Sequence, residues 1–425
     1  MAAANTQSWS SGFTFVLAAV GAAVGLGNIW KFPYVAGENG GGAFVLVYLV
    51  CVVLIGMPVM MSEILIGRRG RRNPVATMGL LGREEGSTDK WKWVGGMGVV
   101  GGILILSYYS VIAGWTLAYM VKSVTGVFAG ASAEAVGAEF ASFTGDWRLV
   151  ALTHTIFMAL SVFVVARGVE RGLEQAVRFM VPALLVLMLV LLGYSINSGY
   201  FGQGVAFMFT PDFDKLTWTS VLAALGQAFF TLSIGMGAVM AYGAYLPEET
   251  SITGSSAAVV TADTAIAMLA GLAIFPLVFA NGLTPADGPG LVFNTLPLAF
   301  GQMPGGVFFA TIFFVLLTFA AWTSAISLME PAVAWIVERF SKMFSTVPVA
   351  TLSTTAAAVL PGSSRASRSN SAAASAGTSV DCSRAPATSS TISPLRWSSS
   401  ACTHAAMSAR AARLTVSKVL LSSRQ

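Results

Sequence analysis

The residues with the potential for chemistry are few and sit in unusual company. Within the apolar stretch Gly21 to Asn39, the run Gly25-Leu26-Gly27 is followed at once by Asn28. A second polar insert, Gln227 with Thr231, Ser233, Gly235 and Gly237, interrupts another apolar run. Each glycine costs a helix ~1 kcal/mol relative to alanine, so both inserts read as breaks in membrane helices. In hydrocarbon, opened backbone survives only where protein or a lined cavity satisfies its polar groups, and the natural use of such a break is a binding site. Two acids, Glu63 and Asp263, fall at membrane depth, where an ionisable side chain is costly and reads as functional. No nucleophile and base pair, metal-ligand cluster or phosphate loop accompanies them. Cys51, Cys382, Cys402, His154 and His404 lack metal-ligand spacing, and the glycines at 40–42 and 95–102 lie at span ends with no strand–helix pattern. The chemistry expected is reversible binding without bond making, and the chain is read as not an enzyme.

The elements that must hold these residues are membrane helices. The 425 residues are 55% hydrophobic and only 10% charged, against the ~25% charged residues of a soluble domain. Eight apolar runs are long enough to cross a bilayer, near 12–36, 41–66, 93–123, 149–166, 175–196, 217–246, 255–281 and 305–338. The breaks fall in spans one and six, each the first of five if the chain is built from an inverted repeat. Glycine-interrupted helices at matched positions are the sequence pointer to a transporter site, whereas one alone would fit close helix packing equally well.

Charge sets an orientation and marks a boundary. The loops after spans two and four carry Arg68, Arg69, Arg71, Arg72, Arg83, Lys90 and Lys92, then Arg167, Arg171 and Arg178, while the opposite side holds Lys122, Arg148 and Lys215. The positive-inside rule therefore places the N-terminus in the cytoplasm, and no removable signal peptide is expected. Of the net charge of +5, residues 1–341 contribute −3 and residues 342–425 contribute +8, so the basic balance gives no argument for a nucleic-acid partner. Residues 1–340 read as the transmembrane core. Residues 341–425, rich in Ser, Ala, Thr and Arg, read as a disordered, low-complexity tail, and their abrupt onset suggests translation out of frame. Pro285, Pro289, Pro297 and Pro304 make the loop from Gly282 to Gly306 a structured cap or a turn-rich connector.

Five separated motifs occur in one order: GAAVGLGNIWKFPYVAGENGGGAF in span one, Met61-Ser-Glu63-Ile-Leu-Ile-Gly67-Arg68, Tyr108-Tyr109, Gln227-Ala-Phe-Phe-Thr231-Leu-Ser233 and Trp322-Thr323-Ser324. Together they resemble the neurotransmitter:sodium symporter family, and within it the bacterial amino-acid transporters, over residues 8–340. The resemblance implies an all-α polytopic membrane protein with a five-plus-five inverted repeat. Substrate and two sodium ions would lie between broken helices one and six.

Sodium is a hard cation that wants oxygen ligands, and unwound backbone supplies carbonyls without adding charge. By resemblance, the first sodium site would use the Ala23 carbonyl, the Asn28 side chain and Thr231, completed by the substrate carboxylate. The second would use the Gly21 and Val24 carbonyls with Ala320, Thr323 and Ser324. A substrate amino acid would set its carboxylate on the Leu26 and Gly27 amides beside Tyr109, with its ammonium near Phe230 and Thr231. Its side chain would rest among Ile105, Phe230, Ser233, Met236 and Leu328, a mostly apolar lining that suits a hydrophobic or aromatic amino acid.

Lys31 takes the place of the family's external-gate arginine, with Glu63 and Gln227 expected as its polar neighbours. Asp263 is read as an internal anion that makes chloride unnecessary, near Tyr48, Gln227 and Thr231. Alignment on Pro276 sets Ala262 at the family's ligand position and Asp263 one residue off, and an N-cap or water-facing residue near the start of span seven is the alternative role. Glu338 matches the acid of the cytoplasmic gate, but residues 1–8 hold no arginine to pair with it. Helices nine to twelve do not follow, so the second repeat is expected to be incomplete, which puts the activity of the chain as written in question. The function expected is sodium-coupled amino-acid symport in the plasma (inner) membrane, with no cofactor and the bilayer as partner, a homodimer being compatible. The rival is an amino-acid-binding membrane sensor that does not transport.

Overall fold

The computed structural model describes residues 8–283 and 290–345, without the side chains of Glu170 and 341–345. The tail beyond 345 and the prolines Pro285 and Pro289 therefore lie outside the described residues. Six continuous helices are long and apolar enough to cross a membrane: Gly42–Gly70, Asp89–Val124, Trp147–Ala166, Arg171–Ile196, Ile252–Ala280 and Gly306–Phe340. Span one joins them as a bent pair, Gly12–Ala23 and Gly27–Glu38, with 48° between its halves. Span six is Trp218–Thr231 followed, after six non-helical residues, by Ala238–Ala244. The chain is an all-α polytopic membrane protein, and the described residues hold five spans of a first repeat and three of a second, each opening on a broken helix.

Local chemistry accounts for both breaks. The first half of span one starts on Ser11, whose hydroxyl caps the Thr14 N–H, and ends where Val24 turns extended at ψ 102°. The Asn28 side-chain oxygen then accepts the Gly25 N–H at 3.0 Å, replacing a lost helical bond. Span six starts on a capping box between Thr217 and Ser220. It opens after Thr231, where Ser233, Gly235 and Gly237 all have positive φ, a region costly to residues with a Cβ. Ser233 is the one side chain held there, at φ 53°.

The spans converge on a core around span one. The final helix runs from Gly306 to Ser345, five residues past the boundary expected at 340, with Pro331 inside it. Tyr119 on span three packs its ring 5.0 Å from Phe293 and 5.3 Å from Phe314, sealing the end of the bundle that carries Lys122. The three connections read as loops each contain helix: Ala133–Gly145, Phe201–Phe209 and Leu291–Gln302. The part of the proline-rich connector that is described is thus helical, as a structured cap requires.

Spans two and six cross at touching backbones. A methyl group on Gly67 would overlap the Met240 carbonyl oxygen, and one on Gly243 would come within 2.8 Å of the Ile64 carbonyl oxygen. Small residues at such crossings let helices approach when no hydrophobic effect drives them together. Gly67→Ala should therefore destabilise the protein by about 1–3 kcal/mol through overpacking, although alanine is the better helix former. Gly193→Ala, with open space at its Cβ, should leave stability unchanged or slightly raised. Thermal unfolding of the purified variants in detergent checks the opposite signs.

Candidate functional site

Around the first break, the polar atoms that hydrocarbon would strand are satisfied by other helices. The Asn28 amide nitrogen donates to the Asp263 carboxylate at 2.7 Å and to its backbone oxygen at 3.1 Å. The Thr231 hydroxyl lies 3.1 Å from both oxygens of the same carboxylate. Asn28 and Asp263 are fully buried, so the carboxylate meets neutral donors and no cation among the described residues. The N-cap alternative for Asp263 falls, because span seven begins on Ser251 and Asp263 lies a dozen residues inside it. Ala262, which alignment favours for the ligand position, is only partly buried, and its neighbour makes the contacts.

A small cavity of about 20 Å³ adjoins this cluster, lined by Ala23, Gly25, Gly27, Ile105, Tyr109, Phe230, Ser233, Met236, Ser324 and Leu328. That is room for about one water molecule, far below the ~300 Å³ of an open ligand pocket, so the lining closes over the site and must part to admit a substrate. Of the substrate residues inferred from sequence, Leu26 is not in this lining, but its N–H meets the Tyr109 hydroxyl at 3.4 Å. The rest line the cavity. Phe230 closes one side, close enough that a methyl on Gly27 would come within 3.0 Å of its ring. The lining is apolar except for a few convergent groups: the Tyr109 and Ser324 hydroxyls, Ser233, and backbone at the break.

On the other side of span one, Gly21 faces spans five and eight together: an added Cβ would sit 3.0 Å from Val181 and 3.5 Å from the Thr323 Cβ. Thr323 and Ser324 are buried, the Thr323 hydroxyl bonding the Ala320 and Phe319 carbonyls at 3.1 and 3.2 Å. Ser324 and Ser233 both donate to the Ala22 carbonyl, at 3.2 and 3.0 Å, tying spans six and eight to the break. Ala22 was not among the carbonyls inferred from sequence, and Val24 makes no such side-chain contact.

Two gate assignments need correction. Glu63 does not attend Lys31: its carboxylate accepts the Gly235 N–H at 2.6 Å, so it satisfies the opened backbone of span six. Gln227 likewise spends its amide on the Gly27 carbonyl at 2.8 Å, leaving Lys31 to lie 4.1 Å over the Phe230 ring. The opposite gate is made without an N-terminal arginine. Arg72, from the turn after span two, and Asn73 both bond Glu338, with Arg72 Nε at 2.9 Å. Above this, Trp9 donates its ring N–H to the Tyr242 carbonyl at 3.1 Å and packs edge-on to Tyr242 and Tyr245.

Two acids escaped sequence reasoning. Glu174 takes Ser10 and Arg178, each at 2.5 Å, pinning the start of span one to span five. Glu330 is buried in span eight and accepts the Tyr245 hydroxyl at 2.8 Å. The rule that selects Glu63 and Asp263 as acids at membrane depth selects Glu330 too, so the signal was present.

Comparison with known proteins agrees with this architecture. A family model described as the sodium:neurotransmitter symporter family matches residues 6–140 and 139–364, reaching beyond the boundary drawn at 340. A Bacillus subtilis sodium-dependent transporter, YhdH, is 44% identical over 328 residues, covering 77% of this chain and 72% of its own. A sodium-dependent transporter of Haemophilus influenzae is 34% identical over 353 residues, 82% of this chain and 77% of its own. Among solved structures, MhsT in complex with L-phenylalanine superposes with a TM-score of 0.73 at 44% identity, over 79% of this chain and 76% of that one.

The Arg72 and Glu338 side chains are about 20% and 24% exposed, enough shielding for a charge-assisted pair to matter, with two Arg72 N–H groups on one carboxylate oxygen and Asn73 on the other. In a double-mutant cycle with Arg72→Gln and Glu338→Gln, the two changes should couple by about 1–3 kcal/mol. Additive losses in the unfolding free energy would show that the pair is incidental.

Proposed function

Because the chain belongs to the sodium:neurotransmitter symporter family, we propose that it is a sodium-coupled amino-acid symporter working by alternating access. The observation that carries this reading is the fully buried Asp263 carboxylate, held by Asn28 and Thr231 beside a closed cavity lined by the two helix breaks. Burying a carboxylate costs several kcal/mol even after relaxation, more than neutral hydrogen bonds return. A sodium ion bound there repays it.

In the first site, the Ala23 carbonyl, the Asn28 oxygen, Thr231 and Asp263 offer a hard-oxygen set with its own negative charge, so chloride has no task to perform. The carboxylate of the bound substrate completes the set. That shared ligand makes sodium and substrate raise each other's affinity by the same factor. The second site is formed by the Gly21 and Val24 carbonyls with Ala320, Thr323 and Ser324, bridging span one to span eight. When this site empties, the ion-mediated link between span one and span eight is lost.

The substrate lies with its carboxylate at the Leu26 and Gly27 amides and the Tyr109 hydroxyl. Its ammonium meets carbonyls near Phe230, and its side chain packs among Ile105, Met236 and Leu328. Those three apolar residues favour a hydrophobic or aromatic amino acid, in keeping with the L-phenylalanine bound in MhsT. Lys31 over Phe230 forms the outer lid. Trp9 with Tyr242 and Tyr245, and Arg72 with Glu338, form the inner one. In this reading the chain sits in the plasma membrane, and the arginine-rich loops support a cytoplasmic N-terminus and inner lid.

Uptake of radiolabelled phenylalanine into proteoliposomes tests the proposal. Replacing sodium by potassium should abolish uptake, and Asn28→Ala or Thr323→Ala should reduce it at least about tenfold, the loss of one charge-assisted or ion contact. Asp263→Asn should impose a chloride requirement. Equal uptake in the two cations sinks the coupling, and chloride-independent uptake by Asp263→Asn removes the role given to that carboxylate.

A further inference from the structure

A groove of about 270 Å³ runs up the outside of the bundle where spans four, five and eight meet, far from any residue assigned above except at its floor. Its walls are Phe163 and Val164 of span four, Phe179 and Met180 of span five, and Phe319 and Trp322 of span eight. Arg167 and Arg171 stand at its mouth. Phe163 and Phe179 are 56% and 67% exposed, which inside a membrane span means exposed to lipid. The two spans meet tightly at this end because Gly172 has no side chain: a Cβ there would overlap the Val164 carbonyl oxygen and lie 3.0 Å from the Arg167 Cβ. That contact brings both arginines to one rim. The Arg167 guanidinium sits 4.2 Å over the Phe163 ring, and the Trp322 ring N–H has no hydrogen-bond partner.

We infer that this groove binds one anionic glycerophospholipid, its phosphate between Arg167 and Arg171 and an acyl chain against Phe179, Met180 and Phe319. The chemistry selects this occupant. Aromatic and thioether walls within the spans are reached from hydrocarbon, which excludes a water-borne peptide. Guanidinium pairs suit phosphate oxygens bidentately. No acid lines the groove among the described residues, and the nearby Glu174 is already engaged by Arg178 and Ser10. A headgroup bringing its own ammonium would set that charge against two arginines, so an anionic headgroup is favoured over a zwitterionic one.

The floor gives the lipid a means to act. Phe319 contacts Phe179 edge-on at 6.0 Å, and its carbonyl accepts the Thr323 hydroxyl. Trp322 directly precedes Thr323 and Ser324. A bound acyl chain therefore braces the turn of span eight proposed to carry the second sodium ion, and by reciprocity sodium and lipid affect each other's affinity. This last link rests on the proposed function; lipid binding does not.

Native mass spectrometry of the purified full chain, titrated with phosphatidylglycerol or phosphatidylcholine of identical acyl chains, tests the site. One phosphatidylglycerol should bind in preference, and Arg167→Gln with Arg171→Gln should weaken it by about thirtyfold, the effect of two interfacial arginines. Arg69→Gln with Arg83→Gln removes the same charge elsewhere and should change affinity little. Equal affinity for the two lipids, or an equal loss in the control, overturns the site. So does a dimer mass that disappears with the Arg167 and Arg171 changes, since a second copy would then fill the groove. In nanodiscs, phosphatidylglycerol with brominated chains should quench tryptophan fluorescence less in Trp322→Phe than in the parent. Unchanged quenching would place the chain elsewhere.

Discussion

Everything at the centre of this protein follows from the fact that a membrane offers opened backbone no water. Two helices are broken in mid-span, and each exposes N–H and C=O groups that cost several kcal/mol apiece if left alone in hydrocarbon. The breaks satisfy one another. Ser233 from the second break and Ser324 from span eight donate to the Ala22 carbonyl at the first. Gln227 takes the Gly27 carbonyl, Glu63 takes the Gly235 N–H, and Asn28 serves both Gly25 and Asp263. A cavity bounded by such groups is polar where a ligand's charged ends belong and apolar elsewhere.

The same economy explains how the ends are closed. Lys31 spreads over an aromatic ring at one end, a contact that survives partial desolvation better than a lone ammonium. At the other, Trp9 and Ser10 fasten the start of span one to spans six and five, and Arg72 fastens the turn after span two to span eight. These contacts join different helices, so each is lost when the helices move apart. The acids are distributed accordingly: Asp263 at the break, Glu63 on opened backbone, Glu330 on Tyr245, and Glu174 and Glu338 paired with arginines near the span ends.

Much of this was legible because the membrane simplifies the code. Spans show as long apolar runs, and all eight were found within a few residues of their ends. The breaks at Val24 to Leu26 and Leu232 to Gly237 show as glycines where helix propensity penalises them. Partner choice was harder to read. Sequence placed Glu63 beside Lys31, whereas the fold gives it to Gly235, because a backbone N–H freed by a positive φ has no other acceptor. Asp263 looked one residue out of place by alignment. Helical phase decided the matter, pointing it and not Ala262 at Asn28 and Thr231.

The amino-acid sequence alone determined the class of the molecule, its spans, its two breaks and the residue types around them, since these depend on local hydrophobicity and backbone propensity. Only the tertiary structure decided which donor meets which acceptor. It made Arg72 the partner of Glu338, folded the supposed loops into short helices, and brought Gly172 against Val164 so that two arginines share one rim. Those outcomes turn on distances between residues far apart in the chain, set by how helices cross and where glycine lets backbones touch. No local pattern encodes them.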